Sequence, residues 1–289
     1  MRPTVPLAAC LALLAAVAAA AAEPRTLSLR HDGLERRALV EAAPGLRDAP
    51  LLVALHGGIA GPEWMRRRAR VSLARRGWVV AWPYALDDWN DGRRDREGDL
   101  YETADDLGFL RRLVDTLVET GVADPERVFF AGPSLGGTMV LRVICEAPEL
   151  VAGAAVAISS LPVGLDCPPG PPRPVLFLHG TADAIMPPEG GPVGGGGLFT
   201  RDRGRVRPVT ETLETLAARN RCDGARSRAL PDRARDDGSR VVLRRYEDCA
   251  APLLHYVVEG GGHAWPGSGG SALLSALADA PVRQSLAVT

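Results

Sequence analysis

No lysine occurs anywhere in the 289 residues, so all 34 basic side chains are arginine. That absence excludes Schiff-base chemistry, a serine-lysine dyad and the phosphate-gripping lysine of a P-loop. Aromatic residues are scarce as well, at 5% of the chain, yet 46% of it is apolar, enough for the core of one large α/β domain or two small ones. Charge of either sign is not in excess. The formal net charge is -1 and the arginines are scattered among acids rather than gathered in a stripe, which argues against a nucleic-acid partner. The cysteines show no C-x-x-C spacing and the histidines no cluster, so a zinc site is not expected.

The first 22 residues hold one arginine, then an apolar run, then small residues before Glu23-Pro24. That layout is expected of a secretory signal peptide cleaved near Ala22. The stretch from Leu7 to Ala22 is alanine-rich and shorter than the ~20 residues a bilayer span needs. Too little apolar sequence precedes Cys10 for a lipoprotein signal. Export makes the other cysteines, Cys145, Cys167, Cys222 and Cys249, candidates for disulfides. Sequence alone does not select among the connectivities. The preferred one joins Cys145 to Cys167 and Cys222 to Cys249, since each pair brackets a compact segment.

Apolar runs at Leu51 to Leu55, Trp78 to Trp82, Val128 to Ala131, Ala154 to Ile158 and Val175 to Leu178 read as buried parallel strands. Helix-like stretches lie at about Trp64 to Arg75, Thr103 to Leu117, Leu135 to Ile144 and Val209 to Ala218. The alternation predicts an α/β fold with a mostly parallel central sheet and helices on both faces. "RTLSLR" and "RRALVEA" suit an antiparallel hairpin at the sheet edge. Residues 240 to 260 suit a second hairpin with Cys249 near its turn, and the glycine-rich 187 to 208 an exposed loop. Without internal repeats or a linker, residues 23 to 289 are read as one domain.

"RVFFAGPSLGGTMVLRVIC" places Ser134 between a strand and a helix, bordered by glycines at 132, 136 and 137. A nucleophile elbow needs such small residues because the turn packs tightly and holds the serine in strained backbone space; a glycine-bordered structural turn is the plainer alternative. A serine hydroxyl needs a base and an acid that orients the base. Asp183 follows the strand in "PVLFLHGTADAIMP", and His263 follows the one in "HYVVEGGGHAWPG". The order Ser, Asp, His is that of an α/β-hydrolase. Backbone donors for an oxyanion are expected at Leu135 and at Gly58 in "LLVALHGG". His255, inside a strand, His179, at a strand end, and His31 are weaker candidates for the base. Asp105 and Asp106 suit a helix N-terminus. Trp89 and Trp265 are candidates for a flat substrate-binding wall, with burial the alternative for each.

Together "LLVALHGG", "GWVVAWPYALDDWNDGR", "DDLGFLRRLVD", "DPERVFFAGPSLGG", "LHGTAD", "ARNRC" and "VEGGGHAWPG" occur in an order that resembles the polyhydroxybutyrate depolymerase-like, feruloyl and acetylxylan esterase group of secreted α/β-hydrolases. The resemblance spans about Leu51 to Gly267. It implies a secreted serine esterase with Ser134, Asp183 and His263 as triad, an ester substrate, and no metal or organic cofactor. The chain departs from the group at Leu135, where asparagine is usual, and in its aromatic-free tail "SALLSALADAPVRQSLAVT". It has no room for a separate polymer-binding domain, which directs the expectation to small or soluble esters. A serine peptidase on the same fold and a catalytically silent, ligand-binding relative are the rival readings; the complete set Ser134, Asp183 and His263 argues against the second.

Overall fold

Apolar residues alternate between two separate cores along each central strand, and this is what builds the molecule. The structure, a computed structural model, describes residues 23–58, 60–69, 73–95, 97–194, 203–232 and 238–264. The expected signal peptide, Cys10, Trp265 and the C-terminal tail lie outside the described residues.

Strands β1 (Arg25–His31), β2 (Leu34–Glu41), β3 (Ala49–Ala54), β4 (Val79–Pro83), β5 (Ala123–Pro133), β6 (Gly153–Ala157) and β7 (Val175–Gly180) are followed by a two-residue pair, β8 (Gly191–Pro192) and β9 (Arg205–Val206). β10 (Ala225–Ala229), β11 (Arg240–Tyr246) and β12 (Leu253–Glu259) complete the set. Ten of these strands form one sheet in the order β1-β2-β4-β3-β5-β6-β7-β12-β11-β10. The six strands from β4 to β12 in that order run parallel. Antiparallel hairpins close both ends, β1 with β2 and β11 with β10.

In β3, Leu51 and Val53 enter one core while Leu52 and Ala54 enter the other; β4 and β5 divide their side chains in the same way. A strand buried on both faces carries no polar alternation, so its sequence is a continuous apolar run. The first core is covered by helices α2 (Asp106–Glu119), α3 (Leu135–Glu146) and α4 (Val209–Arg219), through residues such as Phe109, Met139 and Leu213. The second is covered by α1 (Pro62–Ala69), through Met65 and Ala69, and by a 3-10 turn at Leu73–Arg76. The helix expected over 64 to 75 thus opens two residues earlier, where the fixed φ of Pro62 suits a first turn.

Local chemistry sets the helix starts. Asp105 caps α2, its carboxylate accepting the Gly108 N–H at 3.0 Å and lying 2.8 Å from His31 Nε2. Asp106 does more than favour the helix dipole: it is fully buried, accepts from Arg36 and from the Asn90 N–H, and ties α2 to β2. Cys145, near the end of α3, is joined to Cys167, and Cys222, after α4, to Cys249 in the β11–β12 turn.

The segment 187 to 208 differs from the exposed loop expected of it. In its described parts β8 pairs with β9, and Val193 and Val206 are buried in the first core. Two isolated valines among glycines supply the apolar anchor that the composition of the segment conceals.

Candidate active site

Parallel strands deliver their carboxyl ends to one edge of the sheet, and ligands of open α/β sheets bind there. Ser134 follows β5, Asp183 follows β7, His263 follows β12, and His56-Gly57-Gly58 follows β3. Residues far apart in the chain therefore meet.

Ser134 sits at φ 54° and ψ -128°, in left-handed backbone space that a side chain rarely adopts. The strain is held by close packing. Its N–H donates to the Ala157 carbonyl at 2.9 Å, tying the turn to the end of β6. A Cβ on Gly132 would lie 2.4 Å from the backbone of Gly136, one on Gly136 2.2 Å from the Leu55 oxygen, and one on Gly137 2.7 Å from Ser159. Each bordering glycine is thus required by backbone or side-chain contact.

His263 Nε2 lies 3.0 Å from Ser134 Oγ, and His263 Nδ1 lies 2.7 Å from Asp183 Oδ2. Asp183 is buried, and its other oxygen accepts the N–H groups of Ile185 and Met186, both at 2.9 Å. The Ala182 N–H donates to the Gly261 carbonyl, so the acid's loop and the histidine's loop are tied together beside the pair. An ionised carboxylate that accepts at both oxygens holds a neighbouring imidazole with its Nε2 turned toward the hydroxyl, which is the arrangement proton transfer from a serine requires.

His56 fixes the loop after β3. Its Nε2 accepts the Ala85 N–H at 3.2 Å, so Nδ1 carries the proton and donates to the Gly57 carbonyl at 2.8 Å. Burial holds its pKa below the usual histidine range, in keeping with a neutral ring. With the Gly57 carbonyl turned to His56, the trans peptide plane sends the Gly58 N–H the opposite way. Leu135 opens α3, where backbone N–H groups lack partners within the helix.

Trp89 does not serve as a wall. It is 1% exposed, and its indole N–H donates to the His56 carbonyl at 2.8 Å, so it buttresses the loop from the core. Among the described residues, the tryptophan that lines the site is Trp64 of α1, 46% exposed, which the sequence shows only as the start of a helix. The cavity beside Ser134 and His263 measures about 340 Å³. Its walls are mostly apolar, among them Met65, Ile158, Ile185 and Val193, with Gly57, Gly58 and Leu135 beside the serine. Arg68 and Arg203 also line it, and sequence reasoning passed over both.

His179 and His255 lie together: their rings stack with centroids 4.9 Å apart, and His179 Nδ1 is 2.8 Å from His255 Nε2. Neither is bonded to Ser134 or Asp183. Among the described residues no group of three or more His, Cys, Asp or Glu side chains is placed to hold a metal ion. No helix among them is long and apolar enough to cross a membrane.

No protein-family profile matches the chain. It is 31% identical over 236 residues to a protein provisionally named esterase NocK, of Nocardia uniformis subsp. tsuyamanensis, covering 78% of this chain and 68% of that one. It is 27% identical over 240 residues to feruloyl esterase B of Piromyces equi, covering 76% of this chain and 40% of that longer protein. Among solved structures, acetyl xylan esterase from Aspergillus awamori superposes with a TM-score of 0.58 at 16% identity, over 84% of this chain and 95% of its own. At that identity the superposition speaks for the fold, an α/β-hydrolase.

Proposed function

Since this chain belongs to the polyhydroxybutyrate depolymerase-like, feruloyl and acetylxylan esterase family and is a serine hydrolase of carboxylic esters, we propose that it works through Ser134, His263 and Asp183. The observation that carries the proposal is the unbroken hydrogen-bonded line from the serine hydroxyl through His263 to a buried carboxylate.

Ser134 Oγ attacks the ester carbonyl carbon as His263 Nε2 takes its proton, and Asp183 stabilises the imidazolium that results. The carbonyl oxygen becomes an oxyanion held by the backbone N–H groups of Leu135 and Gly58. Collapse of the tetrahedral intermediate breaks the bond to the alcohol oxygen, which leaves with the proton from His263. An acyl group then remains on Ser134. Water, deprotonated by His263, attacks the acyl carbon, and the carboxylic acid departs as the serine recovers its proton. The apolar walls keep bulk water from the intermediate, which strengthens each of these electrostatic contacts.

The protein is exported, on this proposal, by a leader ending near Ala22, and the bonds Cys145–Cys167 and Cys222–Cys249 form in the oxidising compartment it reaches. Its substrates, on this proposal, are 3-hydroxyalkanoate, feruloyl or acetyl esters, small or oligomeric.

Labelling with an alkyl fluorophosphonate tests the assignment. One phosphonyl group per chain, mapped by peptide mass spectrometry to Ser134 and bound in step with loss of esterase activity, is the expected result. A label on another residue, or hydrolysis that survives complete labelling of Ser134, would overturn it.

A further inference from the structure

We infer that the acyl side of the site is a length-limited pocket for unbranched aliphatic acyl groups of about six to eight carbons, with Met65, Ala69 and Ile158 as its inner wall and Ala69 setting the limit. The inference rests on the ester-hydrolase mechanism above and names the acyl group that its cavity takes.

Helix α1 lays two rows of side chains along the cavity, because residues four apart share a helix face. Trp64 and Arg68 form the outer row; both are exposed, and the Arg68 guanidinium lies over the Trp64 ring, 4.9 Å from its centroid. Met65 and Ala69 form the inner row, and both are buried as members of the second core. The cavity thus runs from a mouth at Trp64 inward to the core between α1 and the sheet. Ile158 joins them there, lining the cavity and belonging to the same core.

Ile158 is a β-branched residue at φ 44°, in left-handed space that such side chains hardly ever adopt. Strain of this kind persists only where the surroundings enforce it, and it gathers at functional sites. The Ile158 N–H donates to the Leu178 carbonyl at 2.7 Å, and the residue before it, Ala157, accepts the Ser134 N–H. The end of β6 therefore holds the nucleophile and this wall of the cavity together.

Proton delivery decides which half of the ester lies against the wall. His263 must protonate the alcohol oxygen, so the alcohol lies toward His263, which follows β12, and Ile185, which follows β7. α1 follows β3, on the opposite side of the nucleophile strand β5 in the sheet order, so the acyl group points toward Met65 and Ala69. Among the described residues this inner wall carries no hydrogen-bonding side chain. The charged side chains of the lining stand elsewhere: Arg68 in the outer row, and Arg203 beside Gly58, where Asp88 engages it at 2.6 Å. A feruloyl ring would leave its phenolic hydroxyl unpaired against such a wall, and an acetyl group would leave most of the wall uncovered. A methylene takes up nearly as much room as a water in the liquid, ~30 Å³. A cavity of about 340 Å³ shared with the alcohol therefore holds roughly six to eight acyl carbons.

Hydrolysis of 4-nitrophenyl acetate, butanoate, hexanoate, octanoate and dodecanoate, each below its micellar limit, tests the pocket with a constant alcohol. kcat/KM is expected to rise about fourfold or more for every two carbons up to hexanoate or octanoate, and to fall by dodecanoate. Methyl, butyl and hexyl acetate, followed by pH-stat, are expected to differ by less than about threefold, since an alcohol chain outside the pocket gains no such burial. Ala69→Leu fills the inner end and is expected to lower the octanoate-to-butanoate ratio of kcat/KM by about tenfold or more. Met65→Ala removes volume instead, so overpacking does not threaten its fold, and it is expected to raise the dodecanoate-to-hexanoate ratio several-fold. A flat or falling acyl series, an alcohol series that rises as steeply, or a ratio left unchanged in a folded variant would overturn the inference while leaving the mechanism intact, as would methyl ferulate hydrolysed faster than methyl octanoate. Turnover of none of these esters would overturn both.

Discussion

Asp183 offers one carboxylate oxygen to His263 Nδ1 at 2.7 Å and the other to two backbone N–H groups of its own loop, so the aspartate is fixed before it fixes the histidine. That order of support explains why a short loop after β7 suffices to aim an imidazole delivered from β12. The two strands are parallel neighbours in the sheet, and the loops beyond them are bonded through Ala182 and Gly261.

Asp183→Asn keeps the shape of the side chain but replaces one oxygen with a donor, which favours the wrong tautomer of His263. On the proposed mechanism kcat falls by roughly a thousand- to ten-thousandfold, with KM much less affected. Steady-state kinetics on a soluble ester, alongside a thermal melt showing the fold intact, checks this. A loss of only a few-fold would remove Asp183 from the mechanism.

Glycines of the elbow and of the loop after β3 differ in how much room they have, and this yields a graded expectation for stability. A Cβ at Gly136 meets the Leu55 carbonyl at 2.2 Å, backbone that cannot turn away, whereas one at Gly57 finds ordinary contacts of 3.4 Å. Gly136→Ala is expected to cost at least about 3 kcal/mol, the upper part of the range for overpacking. Gly57→Ala is expected to stay within about 1 kcal/mol of the parent. Denaturant unfolding of both variants makes the comparison; equal midpoints would contradict the packing.

Stability should fall in mild acid because of the paired histidines. Burial pushes the pKa of His255 down to about 3, reinforced by His179 and by Arg244 on β11. Burial lowers that of His179 too, opposed by Asp183 and Glu189. The unfolded chain takes up a proton at each near the usual ~6.5, while folded His255 refuses one until about pH 3. Stability contributed by the neutral ring is therefore present above about pH 6.5 and is lost as the pH falls toward 3, with a limiting slope of roughly 1.4 kcal/mol per pH unit for each histidine. His255→Gln, which keeps a polar partner for His179 without titrating, should flatten urea midpoints measured between pH 4 and 7. An unchanged slope would mean that other groups govern the acid limb.

Strands β3 to β7 were legible in the sequence because burial on both faces leaves uninterrupted apolar runs, and the β1–β2 hairpin because its residues alternate around a tight turn. β10 was not. Its sequence, ARSRA, is almost wholly exposed, and only the ladder to β11 makes it a strand. The positions of Ser134, Asp183 and His263 could be read from strand-end spacing, since in a parallel sheet the chain order of strand ends already constrains what converges. Side-chain direction could not. An indole in the sequence does not say whether it faces core or cavity: Trp89, a wall candidate with burial as its alternative, is buried, and Trp64, read only as the start of a helix, lines the cavity. Arg203 lay hidden in a glycine-rich segment whose anchoring valines are too sparse to form a pattern.

The most direct measurement is ester hydrolysis by the protein and by its Ser134→Ala variant across 4-nitrophenyl acetate and butyrate, methyl ferulate, acetylated xylan and a 3-hydroxybutyrate oligomer. The expected result is turnover of at least one ester by the parent, with kcat reduced by about a millionfold in the variant and the fold preserved. Comparable rates from the two proteins would contradict a serine nucleophile at 134, and silence of the folded parent toward every ester would favour a ligand-binding role for the same cavity.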